Sequence, residues 1–245
     1  MKILTLDIET APTTAYVWGM WEQNVAMNQI VKPGYILSFA AKWVGEEEII
    51  FSSLRKDGKK RMLVKAASLL NEADVIITYN GKKFDIKTLN REFVLENILP
   101  PARYKHIDLL QVVKQNFKFP HNKLDYVAQA LGLGGKLKHA GFEMWIGCMA
   151  DKQESWDMLE AYNVEDVAIT ERVYAALRPW ILNHPNVALY DELQHVCPVC
   201  GGIHLQRRGF AYTGVGKYQR YQCNTCGSWS RNKINEAIKG IMANA

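Results

Sequence analysis

The chain has 245 residues, 48% of them hydrophobic and 22% charged, with a formal net charge of +5. That is the composition of an ordinary soluble protein, long enough for one large core or two unequal ones. No apolar run approaches the roughly 20 residues of a membrane span, and the N-terminus enters a strand pattern rather than a signal peptide, so a cytoplasmic protein without a membrane partner is expected.

The first element predicted is a strand over 4–10, "LTLDIET". Side chains alternate along a strand, so Leu4, Leu6 and Ile8 share one face while Thr5, Asp7 and Glu9 share the other. Taken alone this is a strand with a polar outer face, yet two like charges so close raise each other's pKa and call for something positive between them. After an aromatic-rich connection, 35–44 and 46–53 read as two strands joined around Gly45. Residues 59–73 have helical apolar spacing, 74–80 form a short buried-type strand, and a helix follows around 85–97, ended by Pro100 and Pro101. A strand feeding a helix is expected over 103–111, a helix stopped by Gly132 over 123–132, and a long amphipathic helix from 154 to about 182. Strands first in succession and then separated by helices imply a mixed sheet flanked by helices, an α/β domain over 1–184. A second module is expected over 195–245, because residues 185–196 lead into a cysteine cluster.

Two further acids stand out. Asp85, in "YNGKKFDIKTL", follows a buried strand and Gly81 and sits at a helix start, where an acid is an ordinary N-cap. Tyr162 and Asp166, in "YNVEDVAIT", are four apart and lie on one helical face beside Ile169 and Val173, which is not a solvated pattern.

Taken in order, "LDIET", "YNGKKFD" and "YNVED" resemble the three motifs of the 3′→5′ exonuclease domains of the RNase H-like superfamily, DEDDy subclass, across roughly 1–182. Proofreading domains of family B DNA polymerases and free-standing relatives are of this kind. The resemblance implies that Asp7, Glu9, Asp85 and Asp166 are metal-binding carboxylates and Tyr162 the subclass tyrosine; position 161, the place of the sister subclass's histidine, is alanine. It also implies Asn80 near the substrate strand, whereas Phe84 reads as core packing. Lys83 departs from the asparagine usual in polymerase-attached members and is a candidate phosphate contact.

Four carboxylates without histidine or cysteine make a hard oxygen site suited to two Mg²⁺ or Mn²⁺ ions. In the two-metal scheme Asp7 would bridge both ions, Glu9 and Asp166 would hold the ion carrying the attacking water, Asp85 would support the second, and Tyr162 would orient the water. The expected reaction is stepwise phosphodiester hydrolysis from a single-stranded 3′ end, DNA favoured over RNA, releasing nucleoside 5′-monophosphates. The alternatives are editing in trans within a replication or repair complex, nucleic-acid binding without catalysis, and structure-specific endonuclease activity. Asp108 reads as a helix N-cap or as a support behind the site. Lys136, Lys138 and His139 are candidate backbone contacts in a loop lacking Walker spacing. Trp18, Trp21 and Trp43 are read as core or surface packing residues, with stacking on unpaired bases as the alternative, and Cys148 as an unremarkable thiol.

"CPVCGG" and "YQCNTCGS" are two Cys-x₂-Cys knuckles, so Cys197, Cys200, Cys223 and Cys226 are expected to hold one structural Zn²⁺ in a ribbon-like module. From His195 onward seven Lys and Arg accompany one acid, Glu236, for a charge of +6, while residues 1–194 carry 23 bases against 24 acids. Arg207, Arg208 and Arg220, interleaved with Tyr218, Tyr221 and Trp229, make nucleic acid the expected partner of this module.

Overall fold

A computed structural model describes residues 1–135, 141–239 and 242. The chain divides into two compact units, Lys2–Tyr174 and Ala175–Ala245, with Met1 counted in the second.

The first unit opens with β1 (Ile3–Thr10), a small pair β2 (Thr14–Ala15) and β3 (Ile30–Lys32), then β4 (Ile36–Trp43) and β5 (Ile49–Ser53). Helices α1 (Leu54–Asp57) and α2 (Lys59–Glu72) lead to β6 (Val75–Thr78), α3 (Asp85–Leu95), β7 (Lys105–Asp108), α4 (Leu109–Asn116), α5 (Leu124–Ala130), α6 (Glu143–Met149) and α7 (Gln153–Leu177). The main sheet has the order β5-β4-β1-β6-β7; β1 pairs antiparallel with β4 and parallel with β6, and β6 pairs parallel with β7. This is a mixed five-stranded RNase H-like sheet flanked by helices. The sequence places α7 as far as 182, but it ends at Leu177, where a short 3₁₀ turn containing Pro179 takes over, because proline supplies no N–H to continue the ladder.

Leu4, Leu6 and Ile8 of β1 are buried with Met62, Leu63, Ala66 and Leu70 of α2, the apolar stripe read from the sequence. A fully buried leucine contributes about 1.5–3 kcal/mol relative to exposure, so this face ties α2 to the sheet. The opposite face of β1 is also covered, since Thr5 is completely buried. A second cluster gathers Ala11, Leu37, Met144, Cys148, Trp156, Leu159 and Tyr162, with Trp145 packed against it. Trp43 packs on the first cluster, but Trp18 and Trp21 are exposed on the connection between β2 and β3 and so are not core residues. The regular structure of that connection is a single 3₁₀ turn, Met27–Gln29, with no buried residue, too little to cover them.

The parallel register of β1 with β6 runs only from Ile3 to Thr5, although β1 continues to Thr10. Beyond Thr5 the partner on the β6 side of β1 is Asp85, which is reached through the loop 79–84 and accepts the Ile8 N–H. Two residue choices make this loop possible. Asn80 has φ of 73°, a left-handed conformation that asparagine tolerates better than most. A Cβ on Gly81 would collide with the Thr78 side chain, whose Oγ1 accepts the Gly81 N–H at 3.1 Å. Gly81→Ala is expected to destabilise the unit by about 1–3 kcal/mol, the cost of forcing a group into packed space, as a lowered denaturation midpoint.

The second unit contains α8 (Val187–Tyr190) and a three-stranded antiparallel sheet of β8 (Leu205–Thr213), β9 (Gly216–Cys223) and β10 (Trp229–Arg231) in the order β10-β9-β8. Among the described residues no helix is long and apolar enough to cross a membrane.

Candidate metal centres

Asp7, Glu9 and Asp166 are brought together: one carboxylate oxygen from each lies within 4.8 Å of the others. The first two project from the half of β1 that has passed its parallel partner, and a register shift against β4 falls between Glu9 and Thr10. Asp166 comes from α7, one turn after Tyr162, and both line the same cleft as Asp7. Octahedral Mg²⁺ has bonds of about 2.0–2.1 Å and so spans oxygens up to about 4.2 Å apart; a trio held within 4.8 Å is close to the spacing a shared cation requires.

Asp85 is not within that trio. It begins α3, is 2% exposed, and accepts the backbone N–H of Ile8 at 3.1 Å through Oδ1. The carboxylate thus takes the N–H that a longer β6 would have paired, and it sits beside β1 at that edge, next to Ile8, the residue between Asp7 and Glu9. Burial pushes its carboxyl up to about 7, opposed by the Ile8 hydrogen bond and helped by the nearby charge of Asp108. Phe84 is 43% exposed rather than in the core. Adjacent residues at a helix start point in different directions, so turning Asp85 inward sends Phe84 outward.

Asp108 is an N-cap and a support at once. It accepts Leu110 N–H at 3.1 Å at the start of α4, and also Asn80 N–H at 2.8 Å and Lys82 N–H at 3.2 Å. One carboxylate therefore holds the Asn80 loop against β7. Asn80 lines the cleft; Lys83 is exposed and is not among the residues lining it. Lys136, Lys138 and His139 lie outside the described residues. Cys148 is buried; burial, and then the charge of Glu9, push its thiol up to about 11, which keeps it protonated.

Two residues not singled out in the sequence position the trio. Asn163 donates to Asp7 Oδ2 at 2.8 Å, and its own Oδ1 accepts the Ser38 hydroxyl at 3.0 Å. Trp145 Nε1 donates to Glu9 Oε2 at 3.0 Å, and its ring meets Tyr162 edge-on with centroids 6.2 Å apart. Asn163 was detectable as an amide three residues before Asp166 and hence on its helical face. Trp145 carries no such local signal. Both donors are neutral, so they orient the carboxylates without cancelling the charge a cation needs.

In the second unit Cys197, Cys200, Cys223 and Cys226 have all four sulfurs within 4.8 Å of one another. Cys197 and Cys226 are 3.7 Å apart, as are Cys200 and Cys223. A tetrahedron with metal–sulfur bonds of about 2.3 Å has edges of about 3.8 Å, so the cluster is compatible with a small zinc module. Gly201 and Gly227, each just after a knuckle's second cysteine, have φ of 73° and 80°, which turns the backbone back over the sulfurs. Backbone N–H groups of Val199 and Gly202 donate to Cys197 and Cys200 Sγ at 3.4 Å each.

Arg207 and Arg208 are exposed on β8, before and within a register shift against β9. The Arg220 guanidinium lies over the Trp229 ring at 4.6 Å and donates to the Arg208 carbonyl at 3.0 Å. Arg231 over Tyr218 at 3.9 Å and Lys217 over Phe210 at 4.0 Å repeat the pattern.

A family model described as the RNase_H superfamily matches residues 4–178. The chain belongs to the RNase H superfamily. Its fold is also similar to a solved family B DNA polymerase from the hyperthermophilic archaeon Pyrobaculum calidifontis, with a TM-score of 0.53 and 15% identity over 89% of this chain and 32% of that one. This RNase H superfamily member therefore spans about a third of that polymerase, and at this identity the likeness is one of fold. A comparison with curated proteins returns no match.

The raised pKa of Asp85 has a measurable consequence in metal-free protein. The folded carboxyl holds its proton more tightly than the unfolded one, whose value is near 3.8, so its contribution to stability falls as pH rises from there to about 7. Asp85→Asn, which keeps an acceptor for Ile8 N–H, is expected to gain stability relative to the unmodified protein across that window. Urea titrations of both proteins through it, with chelator present, measure the difference.

Proposed function

We propose that this chain is a metal-dependent 3′→5′ exonuclease of the DEDDy kind, acting on single-stranded ends, DNA in preference to RNA. The observation that carries the reading is the convergence of Asp7, Glu9 and Asp166 beside Tyr162, with Asp85 buried at the edge of the strand that bears the first two. Oxygen donors alone suit Mg²⁺ or Mn²⁺, and such ions, when bound, supply an activated water and stabilise the leaving 3′ oxygen.

The chain's own residues have defined tasks in this reading. Asp7, Glu9 and Asp166 would hold the ions, and Asp85 would support the second from the edge of β1. Asn163 and Trp145 keep Asp7 and Glu9 in place. Tyr162 orients the attacking water with its hydroxyl, steadied by the Trp145 ring. Asn80 stands on the cleft wall beside the strand end. In the second unit one Zn²⁺ would be held by the four cysteines, with Arg207, Arg208 and Arg220 contacting phosphates and the aromatic residues offering stacking surface for bases.

The test is incubation with 5′-labelled single-stranded DNA, duplex DNA and RNA in Mg²⁺, Mn²⁺ or chelator. A ladder shortening from the 3′ end of single-stranded DNA is expected, abolished by chelator and by Asp7→Ala. Tyr162→Phe is expected to lower kcat by about 10²–10⁴-fold with little change in KM, the range for a group that assists proton transfer or positioning. Binding without cleavage in every metal would overturn the reading.

Zinc is tested separately. The second unit is small, and its folding is expected to depend on the metal, so Cys223→Ser should lose one bound zinc per chain by elemental analysis and melt the β8–β10 sheet. A zinc content unchanged from the unmodified protein would refute the assignment.

A further inference from the structure

The loop 79–84 carries Asn80 to the cleft wall and brings Asp85 to the edge of β1, so whatever fixes that loop fixes two groups of the acidic centre. Three successive backbone N–H groups of the loop, those of Asn80, Gly81 and Lys82, find acceptors on β6 and β7. Asp108 takes the outer two, at 2.8 and 3.2 Å, and Thr78 Oγ1 takes the middle one, at 3.1 Å. The two carboxylate bonds are complete in themselves. The Thr78 bond is not, because a hydroxyl that accepts still has its own proton to place.

Thr78 is completely buried, so water cannot take that proton. Its Oγ1 lies 2.8 Å from Nε2 of His106, which stands on the neighbouring strand β7. Among the described residues no other acceptor is bonded to the hydroxyl. Burial, opposed by the charge of Asp108 and helped by that of Lys82, holds the His106 pKa down at about 4, so the ring is neutral at neutral pH. A neutral imidazole has one bare nitrogen, and Nε2 accepts from Thr78 only where Nδ1 carries the ring proton. The opposite tautomer would leave the buried hydroxyl proton unpaired. The Tyr104 ring stands edge-on to the imidazole, with centroids 6.4 Å apart, and packs beside it.

We propose that His106 is a positioning residue of the acidic centre that acts through Thr78. Its bare Nε2 accepts the Thr78 hydroxyl, which turns an Oγ1 lone pair onto the Gly81 N–H and so holds the loop bearing Asn80 and Asp85. With Asp108 two positions further along, β7 then supplies an acceptor, direct or relayed, for each of the three loop N–H groups. His106 belongs neither to the acidic trio nor to the cleft lining, so its task is geometric. The functional consequence rests on the exonuclease reading; the tautomer does not.

Two measurements on the full chain test the relay. In metal-free protein with isotope-labelled histidine, nitrogen NMR at neutral pH is expected to show His106 with a protonated Nδ1 and a bare Nε2, the signals being assigned by their loss in His106→Gln. Mn²⁺ alone, followed by electron paramagnetic resonance, is expected to bind His106→Leu and Thr78→Val about 10–100-fold more weakly than the unmodified protein, the range for residues that orient metal ligands. His106→Gln, which keeps an acceptor, and Thr78→Ser, which keeps the hydroxyl, should bind it as the unmodified protein does. Thr78→Val/His106→Leu should be no weaker than Thr78→Val alone, since that change already breaks the relay. A protonated Nε2 would overturn the relay. So would a folded His106→Leu that melts at a lower temperature but binds Mn²⁺ with unchanged affinity, the behaviour of a residue that only packs. Absence of cleavage by the unmodified chain overturns the exonuclease reading instead, and an Mn²⁺ affinity that depends on His106 would then still support the relay behind a metal site.

Discussion

Everything at the acidic centre depends on one backbone N–H, that of Ile8. β1 continues past the end of its parallel register with β6, so beyond Thr5 that edge of the central strand has no strand partner. A buried N–H left unpaired costs about 1–3 kcal/mol, and Asp85 Oδ1 satisfies this one. The bond joins the strand bearing Asp7 and Glu9 to the start of α3. The sheet therefore opens at its central strand, and the opening is lined by carboxylates rather than by another strand. Ligand sites of open α/β sheets commonly lie beyond the carboxyl ends of strands for the same reason.

The electrostatics of the centre follow from how its acids are held. Asn163 and Trp145 fix Asp7 and Glu9 through a neutral amide and a neutral indole, and Asp108 spends its oxygens on three backbone N–H groups. A lysine in either position would have relieved the repulsion among the carboxylates and competed with a cation. Neutral donors give orientation while leaving the field of the cluster in place, a tension that divalent ions relieve. The burial that raises the Asp85 pKa belongs to the same tension.

The second unit solves a different problem. Its three-stranded sheet is short of apolar side chains, and several of its larger ones, including Tyr212 and Trp229, are exposed. The buried centre is instead built around Cys197 and Cys223, each belonging to a knuckle closed by a glycine at positive φ. Cross-linking by a metal would take the place of the hydrophobic core that so few residues cannot supply. The stacking of Arg220, Arg231 and Lys217 on aromatic rings then holds charge at the surface in defined positions.

By itself the sequence determined what short-range periodicity and spacing can encode. The alternation in "LTLDIET" put Asp7 and Glu9 on one face, the four-residue interval put Tyr162 and Asp166 on one helical side, and the Cys-x₂-Cys spacing marked the two knuckles. The mixed sheet flanked by helices was legible in the same way, from runs of strands followed by alternating strands and helices. Only the tertiary structure decided what depends on chain segments far apart. Ile8 meets Asp85 across 77 positions, Trp145 meets Glu9 across 136, and Asn163 meets Asp7 across 156. No local pattern specifies such pairs, because they arise from where one strand outruns its neighbour and which helix faces then close over the gap. The same holds for Phe84, turned outward because its neighbour turns in.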